Sequence, residues 1–338
     1  MPPVHTAEEL ARRPLGALER LQRRLHATPA VAPAVVLVLA VAAFSLVNPR
    51  FASPVSLSLV LQQVAVIGAL AAGQTLIILT AGIDLSVGAS TILSMMVMAT
   101  LAAHHGVPAP LALLAGLLVG VGAGTLNGLL VTRAKLPPFI ATLGTLGVFT
   151  AIALLYSGGQ SIPESRLPAL LNRLGATFPA GPFRITLGVV LVLAIYAVLN
   201  FALTRTAWGT HVYAVGDDAE AARLAGIRVD AVLLSVYAVA GFINGLAAWV
   251  LIGRAGAASP NAVAEANLES ITAVVIGGVS LFGGRGSLVG TLLGALIVGV
   301  CRSGLSFARV DDQYRVMAVG ILVILAVSID QWIRKVRA

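Results

Sequence analysis

The densest group of charges in the chain lies in "VGDDAEAARLAGIRVD", residues 215–230, where six of sixteen side chains are ionisable against 11% of the whole. Asp217, Asp218 and Glu220 precede Arg223. A carboxylate at a helix start accepts backbone N–H groups that lack partners within the helix. Asp217 with Glu220 three residues on has the spacing of a capping box. Gly226 supplies a left-handed stop at the other end. The helix between is about eight residues, too short to be stable alone in water. Gly216 precedes it, and Ala221, Ala222 and Leu224 give it small or apolar faces. Such a helix either docks on a partner or folds back as a structured loop.

Other chemistries lack their residues. A P-loop needs G-K-[S/T], and the two lysines, Lys135 and Lys335, are followed by Leu136 and Val336. "GGRGSLVG" has glycines without the lysine. H-E-x-x-H and G-x-S-x-G do not occur, and the single Cys301 excludes an internal disulfide or a cysteine metal site. His104 and His105 are adjacent, so on a helix they point about 100° apart and form a polar cap more readily than a metal pair. Acids are scarce in the apolar segments: Asp84, Glu265 and Glu269 all fall near segment ends. An ion-coupled transporter usually carries such groups at mid-membrane.

The polar residues inside the apolar segments are mostly neutral. Gln62, Gln63, Gln74, Asn127, Asn200, Tyr237 and Asn244 either line a path for a neutral polyhydroxy solute or hydrogen-bond helix to helix. Arg302 is the exception. It faces the path or its outer vestibule, or it snorkels to the interface some five residues away.

These residues must be positioned in a membrane. Of the 338 residues 58% are hydrophobic, beyond the range of soluble domains. With about 20 apolar residues per crossing, ten candidate spans fall at roughly 30–47, 56–80, 84–104, 107–132, 138–157, 184–203, 229–252, 266–283, 287–307 and 315–333. The fold class is all-α, a polytopic membrane protein of about ten transmembrane helices. The second and third spans abut, and the Gly-rich eighth is a candidate for incomplete crossing.

With both termini cytoplasmic, fourteen Lys and Arg lie inside and seven outside. Arginines at segment ends, not on one face, also make the net charge of +8 an orientation signal and not a nucleic-acid surface. Residues 1–29, with Thr6 and Glu9 at capping-box spacing, read as a cytoplasmic segment, 30–333 as one transmembrane domain, and 334–338 as a cytoplasmic tail. Within the domain, 204–228 is a cytoplasmic segment and 158–183 an outer loop, ordered but irregular because of Pro163, Pro168, Pro179 and Pro182. Gly116, Gly120, Gly124 and Gly128, and again Gly286, Gly290 and Gly294, recur every four residues, a pattern for close helix packing within the chain or at a dimer seam. "TAGIDLSVG" and "IGGVSLFGG" share G-(I/V)-x-L-x-x-G, a hint of internal repetition.

"GDDAEAARLAGI" resembles the coupling-helix region of permease subunits in the ribose/xylose/fructose group of ABC importers. "TAGIDLSVGA" (80–89), "KLPPFIATLGT" (135–145) and "ESITAVVIGGVSLFGGRGSLVGTLLGALIVG" (269–299) are similar to the same group. "RTAWGTHVYAVGDD" and "AVSIDQWIRKV" look most like its fructose-type members. The resemblance implies the ABC importer permease fold in a two-fold homodimer in the bacterial inner membrane. It implies a cytoplasmic ATPase that binds ATP and magnesium, with no cofactor in this chain, and a periplasmic protein that delivers a monosaccharide such as fructose or ribose. Gly216, Asp217, Asp218, Glu220, Ala221, Ala222, Arg223, Leu224 and Gly226 would then couple to the ATPase, and Arg166 and Arg173 in the outer loop would meet the binding protein. Two positions depart from the group: Ala81 stands where many relatives have glycine, and Arg302 where they tend to be neutral. The alternatives are a permease of the same architecture for a branched-chain amino acid, an ion-coupled transporter, and an intramembrane enzyme.

Without a P-loop lysine the chain should hydrolyse no ATP when purified alone, and should support sugar-dependent hydrolysis once its partners are added. Robust ATPase activity from the single subunit would overturn that expectation.

Overall fold

The computed structural model describes residues 31–262, 266–311 and a few positions from 313 to 324. The segment 1–29, Glu265, the tail 334–338 and most of the predicted span 315–333 lie outside the described residues. Among the described residues, helices occupy the other nine predicted spans: α1 (Val31–Val47), α2 (Pro54–Leu79), α3 (Val87–Ala103), α4 (Ala109–Thr132), α5 (Pro138–Ser157), α6 (Leu187–Arg205), α9 (Val229–Ala255), α10 (Ala266–Ile276) and α11 (Leu288–Phe307). Between α6 and α9 lie two short helices, α7 (Ala207–Asp217) and α8 (Ala219–Leu224).

Local chemistry sets the boundaries. The Ser53 hydroxyl accepts from Ser56 N, and Pro54 opens α2, where a missing N–H costs nothing. Pro138 opens α5 in the same way, and Gly158 closes it at φ +59°. Six helices, α2, α4, α5, α6, α9 and α11, are long and apolar enough to cross a bilayer. Helix α10 is not: it ends after 11 residues and gives way to turns and bends over 277–287. The glycines of the eighth predicted span thus mark a half-length helix.

Helix α2 is the central pillar. Every residue from Val64 to Leu79 is buried, so this helix is apolar all round and sees other helices on all sides. At about 1.5 Å per residue its 26 residues reach beyond a typical hydrocarbon core. Helices α5 and α6 instead present Leu155, Val198 and Phe201 outward as a lipid-facing skin.

The glycine stripe of α4 faces the chain itself. A methyl at Gly120 would stand 2.4 Å from the Gly241 carbonyl oxygen, and one at Gly124 only 2.1 Å from that of Tyr237. Backbones of α4 and α9 therefore touch along this seam. Gly116 meets Met98 of α3 instead. Gly290 and Gly294 press α11 onto α10 at Gly277 and Ala273, whereas Gly286 lies in the preceding loop at φ +143°.

Two expectations need correcting. The stretch 158–183 is more regular than its prolines predict. It contains single helical turns, and β1 (Thr177–Ala180) forms an antiparallel hairpin with β2 (Phe183–Thr186). Pro179 stands opposite Arg184, whose N–H donates to the Ser58 hydroxyl and not across the hairpin, so a missing N–H is tolerated there. Ile162–Pro163 also bridges Ala257–Ala258. The short charged helix α8 spans six residues, not eight, and its N-cap is Asp218: that side chain accepts from Glu220 N and Ala221 N, while Asp217 ends α7. The helix beginning at Ala207 runs one residue further than the capping-box spacing alone indicates, which moves the cap by one.

Gly124→Ala should lower the thermal midpoint of the detergent-purified chain by an overpacking cost of about 1–3 kcal/mol. Gly122→Ala, where a methyl meets nothing within 4 Å, should leave it unchanged or raise it. Equal midpoints would mean that α4 and α9 are not in backbone contact.

Candidate functional site

The helices leave two polar regions at opposite ends of the bundle. One end carries α7, α8 and the loops 80–86, 133–137 and 277–287; the other carries the hairpin and the loop 256–262.

At the α8 end, the two copies of the G-(I/V)-x-L-x-x-G pattern meet. Gly284 N–H donates to the Leu79 carbonyl at 3.0 Å, across the ends of the two related loops. Gly216, at the end of α7, is wedged over the same carbonyl so tightly that a methyl there would stand 1.7 Å from the Leu79 oxygen. Gly283 and Gly284 press on Gly216, Asp217 and Ala81. Ala81 adopts φ +59°, a left-handed conformation that favours glycine, at the position where it departs from the resembled group. The Tyr213 hydroxyl of α7 donates to Gly286 O at 2.9 Å. Burial pushes that phenol above its ordinary value, which keeps the donating proton in place.

Helix α8 packs by one face against its neighbours α7 and α9. Ala222 is buried, and Ile227 N–H returns to the Ala222 carbonyl around Gly226 at φ +85°. The other face is open: Asp217, Glu220, Ala221 and Arg223 are exposed, and Leu224 is 83% exposed. Glu220 and Arg223 pair along the helix at 2.9 Å in solvent, worth little to stability. Of the residues singled out in sequence, Gly216 and Ala222 therefore bind the segment to its own chain. Leu224 is the apolar residue it presents outward.

Beneath the junction, buried Asp84 accepts from Ser86 N–H and from the Ser86 hydroxyl, each at 2.7 Å. Asn127 Nδ2 donates to that hydroxyl oxygen at 2.8 Å, and the Thr145 hydroxyl donates to Asn127 Oδ1 at 2.7 Å. Thr142 closes the network: its hydroxyl donates to Ile83 O and accepts from Leu85 N–H. Loop 80–86, α4 and α5 are thus joined by side chains in a region where water cannot substitute. Sequence reasoning singled out Asn127 but missed Ser86, Thr142 and Thr145. The signal lay in "FIATLGT", whose two threonines at three-residue spacing share a helix face.

The remaining polar candidates do not converge. Gln62 Nε2 reaches the Arg184 carbonyl in the hairpin at 3.4 Å, pointing away from its neighbour Gln63. Asn244 Nδ2 donates to Ser90 in α3 at 2.9 Å. Gln74 is fully buried, with neither amide atom bonded among the described residues. Arg166 and Arg173 are both exposed in the segment between α5 and the hairpin.

Gln63 and Arg302 do share a site. At the hairpin end a cavity of about 260 Å³ is lined by both, by Val66, Ile67 and Leu70 of α2, by Arg254 and Asn261, and by Glu269 of α10. Arg302 Nη1 donates to Glu269 Oε1. The Glu269 side chain is 6% exposed and that of Arg302 28%. The guanidinium turns to a carboxylate within the bundle and into the cavity.

Bilayer-length apolar helices, a half-length helix with a glycine loop, and a capped helix exposed at one end define a multi-pass membrane protein of the permease class. The family model for the branched-chain amino acid transport system / permease component matches residues 56–327, and the chain belongs to that family. It is 50% identical over 325 residues to a fructose import permease protein of Rhizobium meliloti, covering 95% of this chain and 90% of that one. It is 37% identical over 317 residues to a ribose import permease protein of Bacillus subtilis, covering 93% and 97%. A D-allose transport system permease protein of Escherichia coli is 35% identical over 301 residues, covering 89% and 91%. No solved structure matches the chain.

Asn127→Leu removes the amide acceptor of the Thr145 hydroxyl, while the Ser86 hydroxyl keeps its bond to Asp84, a cost of about 1–3 kcal/mol for the lost buried partner. The variant should show a lower thermal midpoint, and so should Thr145→Val, with the double variant losing less than the sum. Full additivity would mean that the two side chains do not interact.

Proposed function

We propose that this chain is the membrane-spanning permease subunit of an ATP-driven importer for a monosaccharide, working as a homodimer in the bacterial inner membrane with both termini cytoplasmic. A cytoplasmic ATPase binds ATP and magnesium and docks on α8; a periplasmic binding protein delivers the sugar at the hairpin end, where Arg166 and Arg173 steer it. The observation that carries this reading is α8 itself: a capped helix of six residues held from behind by Ala222, with Leu224 and its charges turned outward. Import of fructose or ribose is favoured over a branched-chain amino acid by the named relatives, each a sugar permease. The half-length α10 and the polar residues Gln63, Gln74, Asn127, Asn244 and Arg302 would line or border the path, with Gln62 nearer its outer rim.

Mechanically, the docking surface and the bundle share the Leu79–Gly284 junction. A displacement of α8 is passed through Gly216 to the end of α2 and through the glycine loop to α10, because neither contact leaves room to absorb it.

In proteoliposomes holding the chain, its ATPase and its binding protein, radiolabelled D-fructose or D-ribose should accumulate with ATP and without an ion gradient. Leu224→Asp should leave insertion intact and abolish uptake, since losing an apolar interface anchor costs about 2 kcal/mol or more. ATP-driven uptake of L-leucine with no uptake of sugar would overturn the reading of the solute, and normal uptake by the Leu224→Asp variant would overturn the docking role.

A further inference from the structure

The cavity at the hairpin end holds more hydrogen-bonding chemistry than a passive vestibule needs. One wall is apolar, built by Val66, Ile67 and Leu70 on consecutive turns of α2. Facing it are an acid, two guanidiniums and two amides: Glu269, Arg302, Arg254, Gln63 and Asn261. Placing a carboxylate among helices is costly even when it is paired, and an apolar pair of the same volume would stabilise the bundle at least as well. Its presence therefore needs a reason other than stability.

The donors and acceptors are held in place. Arg302 Nη1 donates to Glu269 Oε1, and the Ser303 hydroxyl donates to Gln63 Oε1 at 3.2 Å, which leaves the Gln63 NH₂ group to donate. Arg254 makes no ion pair with a described residue. The Arg254 guanidinium alone offers five donors, and the Gln63 amide adds two. A hydroxyl both donates and accepts, so a row of hydroxyls suits such a mixed rim, while the carbon–hydrogen face of a sugar ring suits the aliphatic wall. A cavity of about 260 Å³ is slightly below the range for drug-sized ligands, the size expected for one small solute.

We propose that this cavity is a monosaccharide subsite belonging to the permease itself, in which Glu269, Arg302 and Arg254 hydrogen-bond ring hydroxyls, Gln63 and Asn261 complete the rim, and the α2 wall takes the apolar face. The inference rests on the sugar-import reading and adds to it a second selection step after delivery. It also gives the charged residue of α11 a function that a lipid-facing arginine would lack.

The test uses the full chain in lipid nanodiscs without ATPase or binding protein, and saturation-transfer difference NMR with D-fructose, D-ribose, D-allose and L-leucine. Wild type should transfer saturation to at least one sugar and not to leucine. Arg254→Gln and the double variant E269Q/R302Q should weaken sugar binding by about tenfold, the loss expected when hydrogen bonds to a charged group are removed. Arg254→Gln and Gln63→Leu leave the buried pair intact and carry the test should E269Q/R302Q fail to fold by thermal midpoint. Absence of transfer to all three sugars, transfer to leucine alone, or unchanged affinity in every folded variant would each overturn the proposal. The reconstituted importer separates this from the reading beneath it: sugar uptake without permease-bound sugar removes the subsite and leaves import standing. If no sugar is taken up, both fall.

Discussion

The carbonyl at the end of α2 carries more of this structure than any other single group. Leu79 O terminates a helix buried from Val64 onward, and it accepts from Gly284 N–H at 3.0 Å. Gly216 passes over it at a separation that no side chain could share. A helix end leaves its last carbonyls without internal partners, and inside a membrane protein water is not there to replace them. Satisfying one of them from a loop that is itself anchored to α7 fixes the central helix, the glycine loop and the exposed helix α8 relative to one another. The same need explains why the Asp84 network is complete: each of its hydroxyls and amides finds a side-chain or backbone partner.

Close approach is the second constraint, and it follows from the first. Lipid offers apolar helices no hydrophobic reward for leaving it, so helices associate by packing and by the hydrogen bonds that packing allows. Glycine at Gly120 and Gly124 lets α4 meet α9 backbone to backbone, and Gly290 and Gly294 do the same for α11 against α10. That contact keeps the half-length α10 in place although it has too few residues to cross the bilayer. Helix α10 thereby links two regions. Its loop end reaches the α8 junction through Gly283 and Gly284, and its other end brings Glu269 to Arg302 at the cavity. This one element therefore touches both polar ends of the bundle.

The sequence by itself determined the class and most of the spans. Hydrophobic length cannot be concealed in a chain that must cross lipid, so nine helices fell on predicted stretches among the described residues. The stop at Gly226 was equally legible, because only glycine tolerates that backbone cheaply. Other features were decided by tertiary structure. The cap moved from Asp217 to Asp218 because α7 ends one residue later than local spacing indicates. Which side of α8 faces inward was undetermined in a six-residue helix of small residues, until packing buried Ala222 and left Leu224 outside. Most of all, the partners of Asn127 and Arg302 lie 18 to 41 and 33 residues away, on other elements. Spacing along one helix cannot specify them, since a polar side chain in an apolar span records only that some partner must exist, and the packing of helices chooses which.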